Sequence, residues 1–318
     1  MKNNICPICQ KDSNFTYLES HTDRKQEYKL YECQNCQAQF WEPFKNPGAE
    51  WYEKDKRYAS RNIDHDLEFG RHYVKILDFL KPFKGKVLDA GCGTGSFLYW
   101  AKKAGWEISG FDFDRDTINV AKNIFHLENI EVNDLAGYYK AHPAQKFDLI
   151  TFFEVFEHID NHNEFIETVK NLLKDRGYIA MSVPCRDMAR WLNPLDLPPR
   201  HLTRWDKNSL KRFLESRGFK VLSIKRQGVG LEYILMRLRF RFGRHFSFNL
   251  VGKQKEKERK NGTGSANAYV SKKIKILHGL ARIKDWLLFG LPALIIWLII
   301  MPAPKKYISV YIIAQKNA

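Results

Sequence analysis

Acidic residues are scarce in this 318-residue sequence, with 36 Asp and Glu against 52 Lys and Arg and a formal net charge of +16. An excess of that size points to an anionic partner, either nucleic acid or a membrane surface. The opening stretch MKNNICPICQ has no apolar core. That argues against a secretory signal peptide and sets a cytoplasmic, reducing compartment as the expectation. Cysteine is sparse as well, six residues, of which four fall in two CxxC pairs. In a reducing compartment such pairs argue for a metal site over disulfides. There is no internal repeat. No apolar run reaches the ~20 residues needed to cross a bilayer; Leu287–Met301 comes nearest and is interrupted by Gly290 and Pro292. What the chain has in quantity is hydrophobic residues, 44%, and aromatics, 14%, enough for a packed core and too many for global disorder.

The basic excess is local. Residues 229–306 hold 16 Lys and Arg against 4 acidic residues, so this stretch carries +12 of the +16. Ahead of it, KVLDAGCGTG reads as a short apolar strand running into a glycine loop. EISGFD, NIEVND, FDLITFF and YIAMSVP read as further strands, with helical patterns near 65–80 and after Gly95, Asp114 and Asn161. Short apolar strands alternating with helices predict a parallel sheet covered on both faces. Asn208–Arg217 is a helix closed by Gly218, and the strand FKVLSIKRQ follows it. After Gly230 come LEYILMRLRFRFGRHF, the charged and flexible KQKEKERKNGTGSAN, a basic amphipathic helix over VSKKIKILHGLARIKDW and the apolar LLFGLPALIIWLIIM. The last strand is KKYISVYIIAQK.

Gly91, Gly93 and Gly95 stand between a strand and a helix, where glycines let the backbone turn tightly and approach a ligand. The spacing is GxGxG and not the GxGxxG of dinucleotide folds, and Asp89 precedes it. VLDAGCGTG resembles the first motif of the class I S-adenosylmethionine (SAM)-dependent methyltransferases, and the resemblance extends over Lys86–Lys225. It implies an α/β fold, a doubly wound, seven-stranded, mostly parallel sheet whose last strand is antiparallel. It also implies cofactor-binding roles for Asp89 (the methionine amino group), Gly91, Cys92, Gly93, Gly95, Asp112 and Phe113 (the ribose). Asp134 and Leu135 would hold the adenine, and Phe153 and Glu154 would lie beside the methionine moiety. An NAD(P)-binding domain or a glycine turn serving only the core is the alternative.

EVFEH supplies Glu154, Glu157 and His158, and His201 lies in PPRHLTRW. These four are the catalytic candidates. As hard and borderline ligands they suit Mg²⁺, which would lower a substrate hydroxyl's pKa. Equally, His158 or His201 would serve as a general base without metal. The sulfonium methyl is electrophilic enough that alignment alone is a third option. Quinone-pathway O-methyltransferases are similar in their ExxEH motif, and small-RNA terminal-ribose methyltransferases resemble this set including a later histidine and a divalent ion.

Cys6, Cys9, Cys33 and Cys36 form two CxxC knuckles, the four thiolates that structural Zn²⁺ prefers, with a redox pair as the alternative. A zinc ribbon at this place is similar to that of methyltransferases of surface-polysaccharide, lipid and sugar clusters. The chain therefore divides into a ribbon at 1–45, a linker at 46–64, a methyltransferase domain at 65–228 plus 307–318, and a basic and apolar helical insertion at 229–306. If the strands flanking the insertion share one sheet, a single membrane crossing is impossible. A dip into one leaflet is then expected, with Arg237, Arg239, Arg241, Lys253, Lys255, Lys272 and Lys273 at the headgroups and Trp286 and Trp297 at the interface. Packing as a lid or a dimer interface is the alternative.

The resulting expectation is an enzyme that O-methylates a lipid, quinone or lipid-linked saccharide, peripheral on the inner face of the membrane, with SAM and structural Zn²⁺. The competing readings are an RNA-ribose or soluble-sugar methyltransferase and a non-catalytic SAM-binding module. The acceptor atom and the oligomeric state are not legible.

Overall fold

The structure is a computed structural model that describes residues 4–48, 51, 73, 84–189, 191–193, 196–242, 272–303 and 306–317. Most of the expected linker, nearly all of the helix expected near 65–80, the stretch KQKEKERKNGTGSAN, and with it Lys253 and Lys255, lie outside the described residues. The chain forms two compact units. One comprises Met1–Arg186, Asn193–Gln227 and Ser309–Ala318; the other comprises Asp187–Leu192 and Gly228–Ile308.

In the first unit, five strands run parallel: β4 (Lys86–Ala90), β5 (Glu107–Asp112), β6 (Ile130–Val132), β7 (Phe147–Phe153) and β8 (Leu173–Pro184). With β10 (Phe219–Gly228) and β11 (Tyr307–Lys316) they make a seven-stranded sheet in the order β10-β11-β8-β7-β4-β5-β6. β11 is antiparallel to β8, with Val310 opposite Val183. The doubly wound sheet expected from the sequence is therefore present, its last strand slotted inside the edge. The strands read as near-continuous apolar runs because helices cover both faces. Those helices are α1 (Ser96–Lys103), α2 (Arg115–Phe125), α3 (Leu135–Ala141), α4 (His162–Leu172) and α5 (Lys207–Ser216). Four of them begin on side chains the sequence supplies, Asp134 ahead of α3 among them. Asp114 accepts from the N–H groups of Asp116 and Thr117, Asn161 from Glu164, and Asp206 from Ser209 in a reciprocal capping box.

A second sheet lies in the same unit. The hairpin β1 (Phe15–Asp23) and β2 (Gln26–Cys33) is joined by β3 (Gln39–Glu42), and β3 in turn pairs with β9 (Thr203–Arg204). Nothing in the spacing marks this last strand: β9 is two residues long and follows β8 in the chain. Arg186 ties the two sheets together, with ion pairs to Glu32 (3.1 Å) and Asp206 (2.6 Å) and a hydrogen bond to the Gln37 carbonyl.

The other unit is built on α6 (Leu231–Phe242) and α7 (Lys272–Ile300), around Met188, Leu192, Val229, Ile234 and Ala293. The Tyr233 hydroxyl donates to the Leu192 carbonyl and the Trp297 indole to the Val229 carbonyl. Asp285 is buried and pairs with Arg239 at 3.4 Å. The basic helix and the apolar run expected as separate segments are one helix of 29 residues, with Pro292 inside it. Gly290 leaves room for the Trp286 indole, which a Cβ there would meet at 2.9 Å.

Candidate active site

The loop after β4 is shaped by its glycines. Gly91 (φ 77°) and Gly95 (φ 76°) adopt the left-handed conformation, and Gly95 is the N-cap of α1. A Cβ at Gly91 would lie 2.6 Å from Val155, and one at Gly95 would lie 2.5 Å from Leu127. The Asp112 carboxylate at the end of β5 holds the loop from the neighbouring strand. Its Oδ2 accepts from the Gly93 N–H (2.8 Å) and its Oδ1 from the Asp114 N–H (2.9 Å). Asp89 is buried and accepts from the Thr151 hydroxyl at 2.6 Å. Burial pushes its carboxyl up to about 7, with the nearby Asp112 charge adding to the rise and the Thr151 hydrogen bond opposing it. Cys92 is a buried packing residue in contact range of the Gly110 backbone.

The other expected cofactor residues stand around this loop. Phe113 is 41% exposed just past Asp112. Asp134 caps α3, accepting from Gly137 N–H at 2.7 Å, and Leu135 is buried. Phe153 stacks on Tyr73 (4.1 Å between ring centres) and meets Phe97 edge-on. A bare-backbone cradle beside acceptor carboxylates fits the methionine and ribose ends of SAM.

Beyond β7 the backbone is strained. Glu154 has φ 54°, unusual for a residue with a side chain and costing on the order of 1–3 kcal/mol. Its N–H donates to the Ser182 carbonyl, while its carboxylate accepts from the hydroxyls of Ser182 (2.8 Å) and Ser309 (3.4 Å). The kink leads into a single 3₁₀ turn, Phe156–His158. Glu157 there is 1% exposed, and among the described residues neither of its oxygens has a hydrogen-bond partner, His158 Nε2 lying 3.9 Å from Oε1. Burial, reinforced by the Glu154 charge, raises its pKa well above the usual carboxylate range.

His158 and His201 meet edge to face, 4.7 Å between ring centres. His158 donates from Nδ1 to the Arg200 carbonyl (2.6 Å), and His201 Nδ1 lies 2.8 Å from Asp196 Oδ1. Glu157, His158 and His201 present ligand atoms within 4.8 Å of one another, and Glu154 is not part of that group. One carboxylate and two imidazoles are poorer in oxygen than Mg²⁺ takes, so the expected Mg²⁺ set of four does not fit.

At the N-terminus Cys6, Cys9, Cys33 and Cys36 converge. The Cys6–Cys36 and Cys9–Cys33 sulfurs are each 3.9 Å apart. A tetrahedron with Zn–S bonds of ~2.3 Å has edges of about 3.8 Å, so the four sulfurs fit a zinc ion. The Cys36 thiol, accepting a hydrogen bond from Cys6, is lowered to about 6. Thr151, Ser182, Ser309, Tyr73 and Asp196 support these groups and were not read from the sequence. They are ordinary polar and aromatic residues in unrelated segments, with no spacing to mark them.

Comparison with known proteins gives the same answer as the geometry. The profile of the family described as "Methyltransferase domain" matches residues 61–224, just over half of the chain. The chain is 26% identical over 165 residues to a Ubiquinone biosynthesis O-methyltransferase of Haemophilus ducreyi, which covers 50% of this chain and 69% of that protein. It is 29% identical over 194 residues to the protein of the same name from Coxiella burnetii, which covers 56% of this chain and 80% of that one. A SAM dependent methyltransferase from Archaeoglobus fulgidus shares the fold at a TM-score of 0.50 and 17% identity, over 84% of this chain and 100% of that one. This chain belongs to the class I SAM-dependent methyltransferases.

Proposed function

We propose that this methyltransferase transfers the methyl group to an oxygen of a quinone precursor, lipid or lipid-linked saccharide, and that it works from the surface of a membrane. The observation that carries the membrane part is the outer face of α7. Leu280, Ile283, Leu287, Leu291, Leu294 and Leu298 follow each other at helical spacing, and all are exposed. Leu287 is 82% exposed and Leu291 69%. Phe289, Ala293 and Asp285 on the other side are buried. The span Ile283–Ile300 is long and apolar enough to cross a bilayer by length and composition. A helix with one protein-covered face and one bare face is better suited to lying in the interface. Trp286 is 45% exposed at its start, and α6 adds Arg237, Arg239 and Arg241. The names of the curated relatives support a quinone acceptor.

SAM, when bound, supplies a methyl group on a sulfonium sulfur. Asp112 and the glycine loop hold its ribose side, Asp89 its amino group, and Phe153 with Tyr73 walls the methionine side. Both histidines direct their Nδ1 atoms to protein acceptors, which in the neutral rings places the lone pair on Nε2; that of His158 lies 3.9 Å from Glu157 Oε1. Either Nε2 would take the proton of an acceptor hydroxyl as the oxygen attacks the methyl in line. Zn²⁺ in the four-cysteine site would be structural and contribute folding energy to the small lobe.

The test is label transfer: protein, methyl-labelled SAM and a bacterial lysate, then separate counting of organic, nucleic-acid and small-molecule fractions. Label in the organic phase is expected. Label confined to RNA or to water-soluble sugars would overturn the acceptor class.

A further inference from the structure

We propose that Asp196 is the positioning residue of His201, and that the N-terminal cysteine lobe holds that pair in place. The proposal rests on the reading of His201 as a proton acceptor. Asp196 and His201 are both buried, and Asp196 faces both His201 and Arg204. Its Oδ1 lies 2.8 Å from His201 Nδ1, and its Oδ2 lies 3.4 Å from Arg204 Nε. Arg204 is anchored in turn: Nη2 donates to the Arg186 carbonyl (3.1 Å), and Nη1 lies 3.5 Å from Glu19 Oε1 on β1 of the cysteine lobe. A charge sequence Glu19–Arg204–Asp196–His201 thus runs from the lobe to the imidazole.

The backbone makes the same connection. His201 directly precedes the short segment leading into β9. The Trp41 N–H on β3 donates to the Leu202 carbonyl (2.9 Å), and the Leu202 N–H donates to the Glu157 carbonyl (2.8 Å). Gln39 and Phe40 pair with Arg204 and Thr203. Residues 202–204 are therefore held between the cysteine lobe on one side and the 3₁₀ turn of Glu157 and His158 on the other.

A carboxylate on Nδ1 keeps the proton there and turns the Nε2 lone pair toward the Glu157–His158 group. An uncharged imidazole without such a partner divides its proton between the two nitrogens. The lobe is then part of the acceptor half of the site, and Asp196 is the residue through which it acts.

The experiment is ¹⁵N-histidine NMR on the full chain, paired with label transfer into a bacterial lipid extract at saturating SAM. His201 of the wild type is expected as the Nδ1–H tautomer. Asp196→Asn, whose amide can donate to Nδ1, should shift it toward Nε2–H and slow transfer on the order of 100-fold, with SAM affinity unchanged. Asp196→Glu should restore the tautomer and part of the rate. Glu19→Gln, at the far end of the sequence, should slow transfer several-fold with the zinc content unchanged. A wild-type Nε2–H tautomer, or a tautomer indifferent to Asp196→Asn, overturns the positioning role. A shifted tautomer with unchanged transfer would instead overturn His201 as the proton acceptor, which separates failure of this proposal from failure of the reading beneath it.

Discussion

Two apolar segments of this chain, β7 and the second half of α7, meet opposite fates. FDLITFF is central in a sheet with β4 on one side and β8 on the other, and only Asp148 and Phe153 along it are more than marginally exposed. LLFGLPALIIWLII is just as apolar, yet Leu287, Leu291, Leu298 and Ile299 are each more than half exposed. The strand has neighbours that need its backbone hydrogen bonds and helices that cover both its faces. The helix satisfies its own backbone and requires cover on one side only. Hydrophobicity states how much a segment gains from leaving water and leaves open what it leaves water for.

Changes that touch the first unit should cost the fold or the cofactor, whereas changes on the outer face of α7 should cost neither. The largest effect is expected from Cys33→Ser or a strong chelator. If the four cysteines hold a structural metal, losing it should remove several kcal/mol and lower the melting temperature by about 10 °C, as calorimetry would show. Asp112→Ala removes the acceptor of two backbone N–H groups. It should weaken SAM binding by on the order of 100-fold, read by isothermal titration; an unchanged affinity would count against the cofactor site. Leu291→Asp should cut partition onto anionic vesicles about tenfold or more while SAM affinity and melting temperature stay put. If it instead dissociates a dimer in ultracentrifugation, the bare face is an interface between copies.

A further expected effect is a slope. Asp89 is raised to about 7, so between about 4 and 7 the folded, ligand-free protein binds a proton that the unfolded chain does not. Its contribution to stability is therefore full at low pH and is lost as pH rises through that window. Asp89→Asn should flatten the fall in denaturation midpoint across it, and an unaltered profile would mean that Asp89 is not the titrating group.

Much of the sheet was legible because its signals are local. An apolar run ending at Asp89, a glycine loop, and a carboxylate at the end of the next strand are each readable within a dozen residues. The four cysteines were legible for the same reason, since CxxC brings two sulfurs within reach of one ion. The Glu157–His158–His201 cluster was legible only in part. Glu157 and His158 are adjacent in sequence, but Asp196 and Arg204 matter through contacts that no spacing encodes. Glu154 was read as a partner of that cluster, yet its strained backbone turns the carboxylate to Ser182 and Ser309.

The sequence by itself determined the fold class, the glycine loop, the pairing of the four N-terminal cysteines and the place where a long insertion interrupts the last two strands. All of these depend on periodicity, on glycine's freedom at positive φ, or on residues a few positions apart. Only the tertiary structure decided that a two-residue strand completes the cysteine lobe's sheet, that the basic helix and the apolar run are one helix, and which of that helix's faces stays bare. Those outcomes depend on which surfaces find partners at long range, and a partner's surface is written elsewhere in the chain.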